Sequence, residues 1–464
     1  MALEFQRWSP ISGNPKTLSK AVTPIRNQTR PRDAARVIRV TRVKEGEERK
    51  SSAWFGTLGA AMEWYDFTLY VYLAPVISQL FFPSDNSLDS LLATFGVFAA
   101  GYLMRPLGAA ILGNIGDTKG RKFALTISIS LMAFGMLLIG LLPTVDSIGI
   151  LAPILLVLIR LAQGFSLGGE FSGSIVLLAE SAEPRHRGFT TNLVQISTGI
   201  GFLLSSATVA ILHALLTDHQ MDTWGWRLPF FIGAGIGIVA LILLKTKVQI
   251  DDQDESRPED VPLKTLFEKE RGPLTINFLL NGYQSLIYYV VATFIPTFVT
   301  SILGGAPQDG LFASALAAIV FMALCPPAGT LTDRFGRRPI MALAAVLMAV
   351  AAIPLFALIA KVSLPAIMGG QLGLMLLVVL FTSPALVIAT ELFSKPTRYS
   401  GVAVGYNLGA TVFGGTAPLL CTALISITGW DLAPGLLLSV ASVLILFVVF
   451  RAPETAPIKT GGNL

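Results

Sequence analysis

Twelve long apolar runs separated by short polar loops constrain this 464-residue chain more than any other feature. They span approximately residues 53–82, 91–114, 121–142, 148–179, 188–215, 227–246, 273–303, 309–332, 338–360, 364–393, 400–427 and 433–451. A helix needs about 20 apolar residues to cross the hydrocarbon core, and each run is of that order. The strands of a membrane barrel would be shorter and would alternate in polarity. A long, continuously apolar run can satisfy its backbone in lipid only as a helix. The expected fold class is therefore an all-α polytopic membrane protein with twelve transmembrane helices.

Composition excludes several functions. Hydrophobic residues make up 53% of the chain and charged residues 14%, against about 25% charged in a soluble domain. The formal charge of +5 does not signal nucleic acid, because the basic residues lie in short loops and form no basic–aromatic surface. Cys325 and Cys421 both fall inside apolar runs and read as small core residues. No metal-ligand spacing is present, so neither a metal nor a cofactor is expected. No G-x-x-x-x-G-K-S/T loop is available to cradle phosphate, and no nucleophile–base–orienter set stands out. An ATP-driven pump and a membrane enzyme are thereby disfavoured. His186, His213 and His219 fall in or near loops and read as surface residues.

The loops set an orientation. Those after odd-numbered runs hold one lysine, Lys361, while those after even-numbered runs hold Lys119, Arg121, Lys122, Arg185, Arg187, Arg334, Arg337, Arg338, Lys395 and Arg398. Basic loops stay in the cytoplasm, which predicts cytoplasmic termini and a plasma membrane location, the inner membrane in a bacterium. Residues 1–52 carry twelve Lys/Arg and five Asp/Glu without an apolar core; they read as a disordered cytoplasmic tail. Residues 53–246 form a first six-helix half, 247–272 a charged cytoplasmic linker, 273–452 a second half and 453–464 a short tail.

The halves echo each other. Gly113-Asn-Ile-Gly-Asp117-Thr-Lys-Gly120-Arg121-Lys122 follows the second run, and Gly329-Thr-Leu-Thr-Asp333-Arg-Phe-Gly336-Arg337-Arg338 follows the eighth, with Asp117 and Asp333 separated by 216 residues. Glu180, Pro184, Arg187 and Gly188 recur as Glu391, Pro396, Arg398 and Gly401, displaced by 211 to 213 residues. Such duplication marks a transporter architecture.

On these motifs the chain resembles the major facilitator superfamily, and within it the metabolite:proton symporter family. Glu63-Trp-Tyr-Asp66-Phe, Met104-Arg105-Pro106-Leu-Gly108, the segment Arg160 to Glu170, Trp224-Gly-Trp-Arg227 and the segment Tyr406 to Pro418 carry the closer likeness, which covers roughly residues 53–455. The stretch KTKVQIDDQ after the sixth run departs from the family pattern, and the N-terminal tail has no counterpart. The resemblance implies two pseudo-symmetric six-helix halves and transport by alternating access. It also implies that Asp117 and Arg121, with Asp333 and Arg337, latch the cytoplasmic side. Its substrates are carboxylates such as 2-oxoglutarate, citrate and shikimate, or zwitterions such as proline and betaine.

Ionisable groups in a span cost about 3 kcal/mol each, so each needs a role. Glu63, Asp66 and Tyr70 share one helical face; the two carboxylates, with Glu170, are candidates for proton coupling. Arg160 and Gln163 precede Glu170 on the fourth run. Arg160 can clamp a carboxylate or pair with the first helix. Arg105 has the same two readings, and its following proline suggests a helix end. Asn277, Asn281, Gln284 and Tyr288 form a polar stripe that should face a cavity or another helix, with Tyr283 and Tyr289 beside it as packing residues. Asn192, Gln195, Tyr406 and Asn407 are further solute-binding candidates, whereas Gly401, Gly405 and Gly409 form a packing stripe. Gly113, Asp117, Gly120, Arg121, Lys122, Glu180, Arg187, Asp333, Gly336, Arg337, Arg338, Glu391 and Arg398 are assigned to gating.

The expected function is proton-coupled symport of a small polar organic solute. Arg105 and Arg160 favour a carboxylate; Tyr70, Tyr283 and Tyr288 would instead enclose a quaternary ammonium. A solute-binding sensor that transports nothing is the reading from another class. The expected partners are the solute, protons and the bilayer, and a monomer is sufficient.

Overall fold

The computed structural model describes residues 60–166, 170–247 and 263–457. The tail 1–52 and most of the linker lie outside that range, as do Gly168, Gly169 and the side chains of Asp117, Arg121 and Glu170. Among the described residues the chain is helical throughout, with no strand. Helix α1 runs over 60–81. Eleven further helices are long and apolar enough to cross a membrane. These are α2 (Ser87–Ile115), α3 (Lys122–Leu141), α4 (Leu151–Ser181), α5 (Pro184–Leu215) and α6 (Gly225–Thr246), then α7 (Arg271–Ile302), α8 (Pro307–Phe335), α9 (Arg337–Ile359), α10 (Leu364–Glu391), α11 (Arg398–Thr428) and α12 (Ala433–Arg451). The fold is the twelve-helix bundle with two pseudo-symmetric six-helix halves.

The apolar runs place the helices to within a few residues, but several ends extend into polar sequence. Helix α5 starts at Pro184 and α8 continues to Phe335, because an N-terminal proline is pre-set for a first turn and the last turn of α8 is tied by Gly336 N–H to the Thr332 carbonyl. Gly120 and Gly336, equivalent in the two halves, take φ of +93° and +106°. That region suits glycine, and it lets the chain reverse tightly between α2 and α3 and between α8 and α9.

Prolines bend the spans. Pro75 divides α1 at Leu73, and Pro106 divides α2 at Met104, since proline supplies no N–H for the helical ladder. Arg105 therefore starts the second segment of its span, at the helix end that the sequence suggested. Helix α7 widens into π turns over Val290–Phe294 and Phe298–Ile302, and α11 does so over Ala410–Gly414. A widened turn alters which carbonyls find partners along the helix. Here Tyr72 donates to the Ala292 carbonyl at 2.8 Å and Gln371 to that of Val291 at 2.9 Å.

Small residues let helices meet. A Cβ on Gly164 of α4 would lie 1.9 Å from the Gly101 carbonyl oxygen of α2, and one on Gly108 would lie 1.8 Å from that of Phe165. Between the halves, Gly188 of α5 and Gly329 of α8 approach backbone to backbone. Gly405 and Gly409 press against Asn277 and Gly282 of α7, so the glycine stripe of α11 packs as expected.

Candidate functional site

Among the described residues, Glu63, Asp66, Arg105 and Arg160 of the bundle interior form two separate ion pairs. Both carboxylates lie one turn apart on α1 because Glu63 and Asp66 are spaced i, i+3. Arg160 of α4 donates to Asp66 Oδ2 at 3.1 Å and to Gln163 Oε1 at 3.0 Å. Gln163 in turn donates to Asp66 Oδ1 at 3.0 Å, closing a triangle. The Arg160 guanidinium also lies 4.1 Å from the centre of the Tyr70 ring. Arg105 of α2 donates to Glu63 Oε1 at 3.3 Å and sits 5.0 Å from the centre of the Tyr102 ring. All four charged side chains are buried.

A cavity lies beside these pairs, lined by Trp64, Phe171, Gln195, Thr198, Gln284, Ser285, Tyr288, Tyr289, Phe321 and Tyr406. Its volume is about 10 Å³, space for roughly one water. Six aromatic rings surround it. Among the described residues, no charged side chain lines it. Trp64 Nε1, Gln195 Oε1, Thr198 Oγ1 and Gln284 Oε1 are buried there without hydrogen-bond partners, although buried polar atoms are nearly always paired. The wall thus offers cation–π faces and several unused polar atoms. Residues come from α1, α4 and α5 on one side and α7, α8 and α11 on the other, so the cavity lies between the halves.

Contacts close the bundle on both sides of this cavity. At the end bearing the repeated motifs, Arg187 pairs with Glu391 at 3.2 Å and Arg398 with Glu180 at 3.0 Å. Each half thereby gives one acid and one arginine to the other. Arg337 binds both Asp333, at 2.6 Å, and Glu391, at 3.3 Å. Asp333 also accepts the Gly188 N–H, at 3.0 Å, capping the start of the first long turn of α5. The C-terminal segment joins in: Glu454 accepts the N–H groups of Arg337 and Arg338, and Thr455 donates to Glu391. At the opposite end, Tyr72 bonds Ala292 and Thr297 donates to the Val71 carbonyl at 3.4 Å.

Of the residues chosen from sequence as solute contacts, Gln195, Gln284, Tyr288 and Tyr406 line the cavity. Tyr70, Arg105, Arg160, Gln163, Asn192, Asn281 and Asn407 do not. Tyr70 donates instead to the Thr94 carbonyl, and Asn192 bridges Gly188 to Ser383 of α10. The α7 stripe is divided: Asn277 donates to Gly401 of α11 and receives Asn281, while Gln284 and Tyr288 face the cavity. Tyr283 bonds Ser442 and packs as expected, but Tyr289, read as packing, is a cavity residue. Trp64, Phe171, Thr198, Ser285 and Phe321 were missed. Thr198 stands three residues after Gln195 and shares its helical face, a usable signal. Phe171 and Phe321 are two of 28 phenylalanines and carry none. Gly113 faces open space, and Arg338 donates to the Phe450 carbonyl.

Comparison with known proteins agrees with this architecture. The model of the Major Facilitator Superfamily matches residues 56–325, and that of Sugar (and other) transporter matches residues 243–460. The proline/betaine transporter of Escherichia coli (strain K12) is 32% identical over 435 residues, 90% of this chain and 87% of that protein. The citrate-proton symporter of Klebsiella pneumoniae is 32% identical, covering 83% of this chain and 88% of its own. The alpha-ketoglutarate permease of Escherichia coli (strain K12) is 35% identical, covering 80% and 86%. Among solved structures, a D-xylose-proton symporter superposes with a TM-score of 0.70 at 19% identity, over 88% of this chain and 98% of the other.

Proposed function

The chain belongs to the major facilitator superfamily, and from that premise we propose that it is a proton-coupled symporter importing a compact zwitterion with an alkylated ammonium, of the proline or betaine type. It is a transporter and not an enzyme. The observation that carries the solute class is the aromatic cavity, taken with the pairing of both interior arginines. A carboxylate clamp would need Arg105 or Arg160 to turn toward the solute, and each is occupied by an acid of α1. Rings around a cationic head contribute about 0.5–2 kcal/mol. The free Trp64 Nε1–H and the Thr198 hydroxyl suit the carboxylate end.

Alternating access follows from the two closures. The motif-end ion pairs and the Tyr72 and Thr297 contacts seal opposite mouths. Opening one while keeping the other exposes the cavity to a single side. The basic loops put the motif end, and both termini, in the cytoplasm. Glu63 is the assigned proton site, because it holds one donor where Asp66 holds two. Taking up a proton removes its charge and frees Arg105. The proton is the coupling ion, no cofactor is needed, and one chain contains the whole path.

The test is uptake into liposomes carrying the purified protein, with an inward proton gradient and labelled glycine betaine, proline, citrate and 2-oxoglutarate. Uptake of betaine or proline that collapses with a protonophore is expected. Citrate or 2-oxoglutarate uptake without betaine or proline would overturn the solute class. Uptake indifferent to the protonophore would overturn proton coupling, and binding without counterflow would favour a sensor.

A further inference from the structure

Resting on the proton-coupled reading, we infer that the hydroxyl pair of Tyr102 and Tyr289 is the link by which occupancy of the cavity controls proton binding at Glu63. Tyr289 stands on α7 and lines the cavity. Its hydroxyl meets that of Tyr102 on α2, across the boundary between the halves. Both rings are buried. The Tyr102 ring lies under the Arg105 guanidinium, 5.0 Å from centre to carbon. Arg105 reaches Glu63 through one bond of 3.3 Å, and its Nε has no partner. From the cavity wall at Tyr289, the series Tyr289, Tyr102, Arg105 and Glu63 is thus continuous in contact.

Both tyrosines are tied to widened turns. Its carbonyl accepts a hydrogen bond from Thr411 in the π turn of α11 at 3.1 Å. Tyr289 immediately precedes the π turn at Val290–Phe294. Widened turns of this kind often mark functional sites, and here two of them hold the one tyrosine pair. Among the described residues, the titratable and charged groups around Glu63 and its partner Arg105 are Tyr102 from α2, Tyr289 from α7 and Tyr406 from α11. Asp66, one turn on, is turned to Arg160.

A phenol hydroxyl has one proton to donate. With the two hydroxyls bonded to each other, one proton is committed to the pair. A solute in the cavity displaces Tyr289, and the Tyr102 hydroxyl, freed of that bond, accepts from Arg105 and draws it off Glu63. Losing a neighbouring opposite charge favours the neutral carboxyl. Solute binding and proton binding at Glu63 therefore favour each other, and by linkage the influence is mutual. Tyr102 and Tyr289 are positioning residues in this scheme.

The experiment measures the affinity of the labelled solute that the wild type accumulates, in acidic and in alkaline medium, for Tyr102→Phe, Tyr289→Phe and Glu63→Gln. Each is also combined with the others. Coupling between sites typically changes affinity by about five- to 150-fold, and Glu63→Gln should remove that part of the pH dependence. Each tyrosine variant should remove the same part, and adding either to Glu63→Gln should change nothing further. A wild-type pH profile in both tyrosine variants overturns the link, as does additivity with Glu63→Gln. Counterflow by Tyr102→Phe at one fixed pH separates this from misfolding, since Tyr102 lies outside the cavity wall and losing its hydroxyl should leave exchange intact. A wild type that moves solute without protons overturns both the link and the reading it rests on.

Discussion

The Glu63 carboxylate meets the Arg105 guanidinium through a single oxygen at 3.3 Å, whereas its neighbour on α1, Asp66, holds two donors at 3.1 and 3.0 Å. Charge-assisted bonds usually measure about 2.7–2.9 Å. The Glu63 pair is therefore the looser of the two, and losing its charge sacrifices less than losing that of Asp66. Glu63→Gln is expected to stop protonophore-sensitive accumulation while leaving counterflow of preloaded solute. Loss of counterflow as well would place Glu63 in solute binding.

Asp66 should behave differently. Removing one partner of a buried ion pair costs about 3–5 kcal/mol, because the other charge stays buried. Asp66→Asn should lower the thermal unfolding temperature of the purified protein more than Glu63→Gln does. Asp66→Asn combined with Arg160→Gln should recover part of the loss. Equal unfolding temperatures for the two single variants would contradict this division of roles.

The aromatic wall makes a graded prediction. A cation–π contact contributes about 0.5–2 kcal/mol, which corresponds to roughly two- to thirtyfold in affinity at about 1.4 kcal/mol per decade. Trp64→Ala should weaken solute binding by that range, and Trp64→Phe by less. Tyr288 and Tyr406 should follow the same order. The comparison is read from binding isotherms at constant pH.

At the motif end, Glu391 is shared by Arg187, Arg337 and Thr455. Glu391→Gln should weaken the cross-half contact and the intra-half contact together. Cysteines introduced near Gly188 and Gly329 should become more reactive to a water-soluble thiol reagent, reporting a mouth that opens more often. Glu454→Ala removes a carboxylate from the start of α9 and should destabilise by about 1 kcal/mol, with a smaller effect on reactivity.

Glycines of similar appearance should differ in tolerance. Gly164→Ala drives a methyl group into the Gly101 carbonyl, so folded yield should fall sharply. Gly113 has nothing within 4 Å of an added Cβ, so Gly113→Ala should leave the yield unchanged. Size-exclusion profiles after detergent extraction provide the measure.

Much of the architecture could be read from the chain because lipid imposes it. A backbone in hydrocarbon must form helices, so twelve apolar runs announced twelve helices, and the duplicated Asp117 and Asp333 motifs announced two halves. The two acids of α1 were equally visible, since charge in an apolar run stands out. Which of the polar residues face the solute was a different matter. Arg160, Gln163 and Gln284 look alike in sequence, but the first two close on Asp66 and the third opens on the cavity. Tyr289 became a cavity residue, and Phe171 and Phe321 joined it, only because helices from the two halves converge there. Periodicity tells which residues share a face of one helix; the partner of that face is set by packing between segments hundreds of residues apart, and only the tertiary structure decides it.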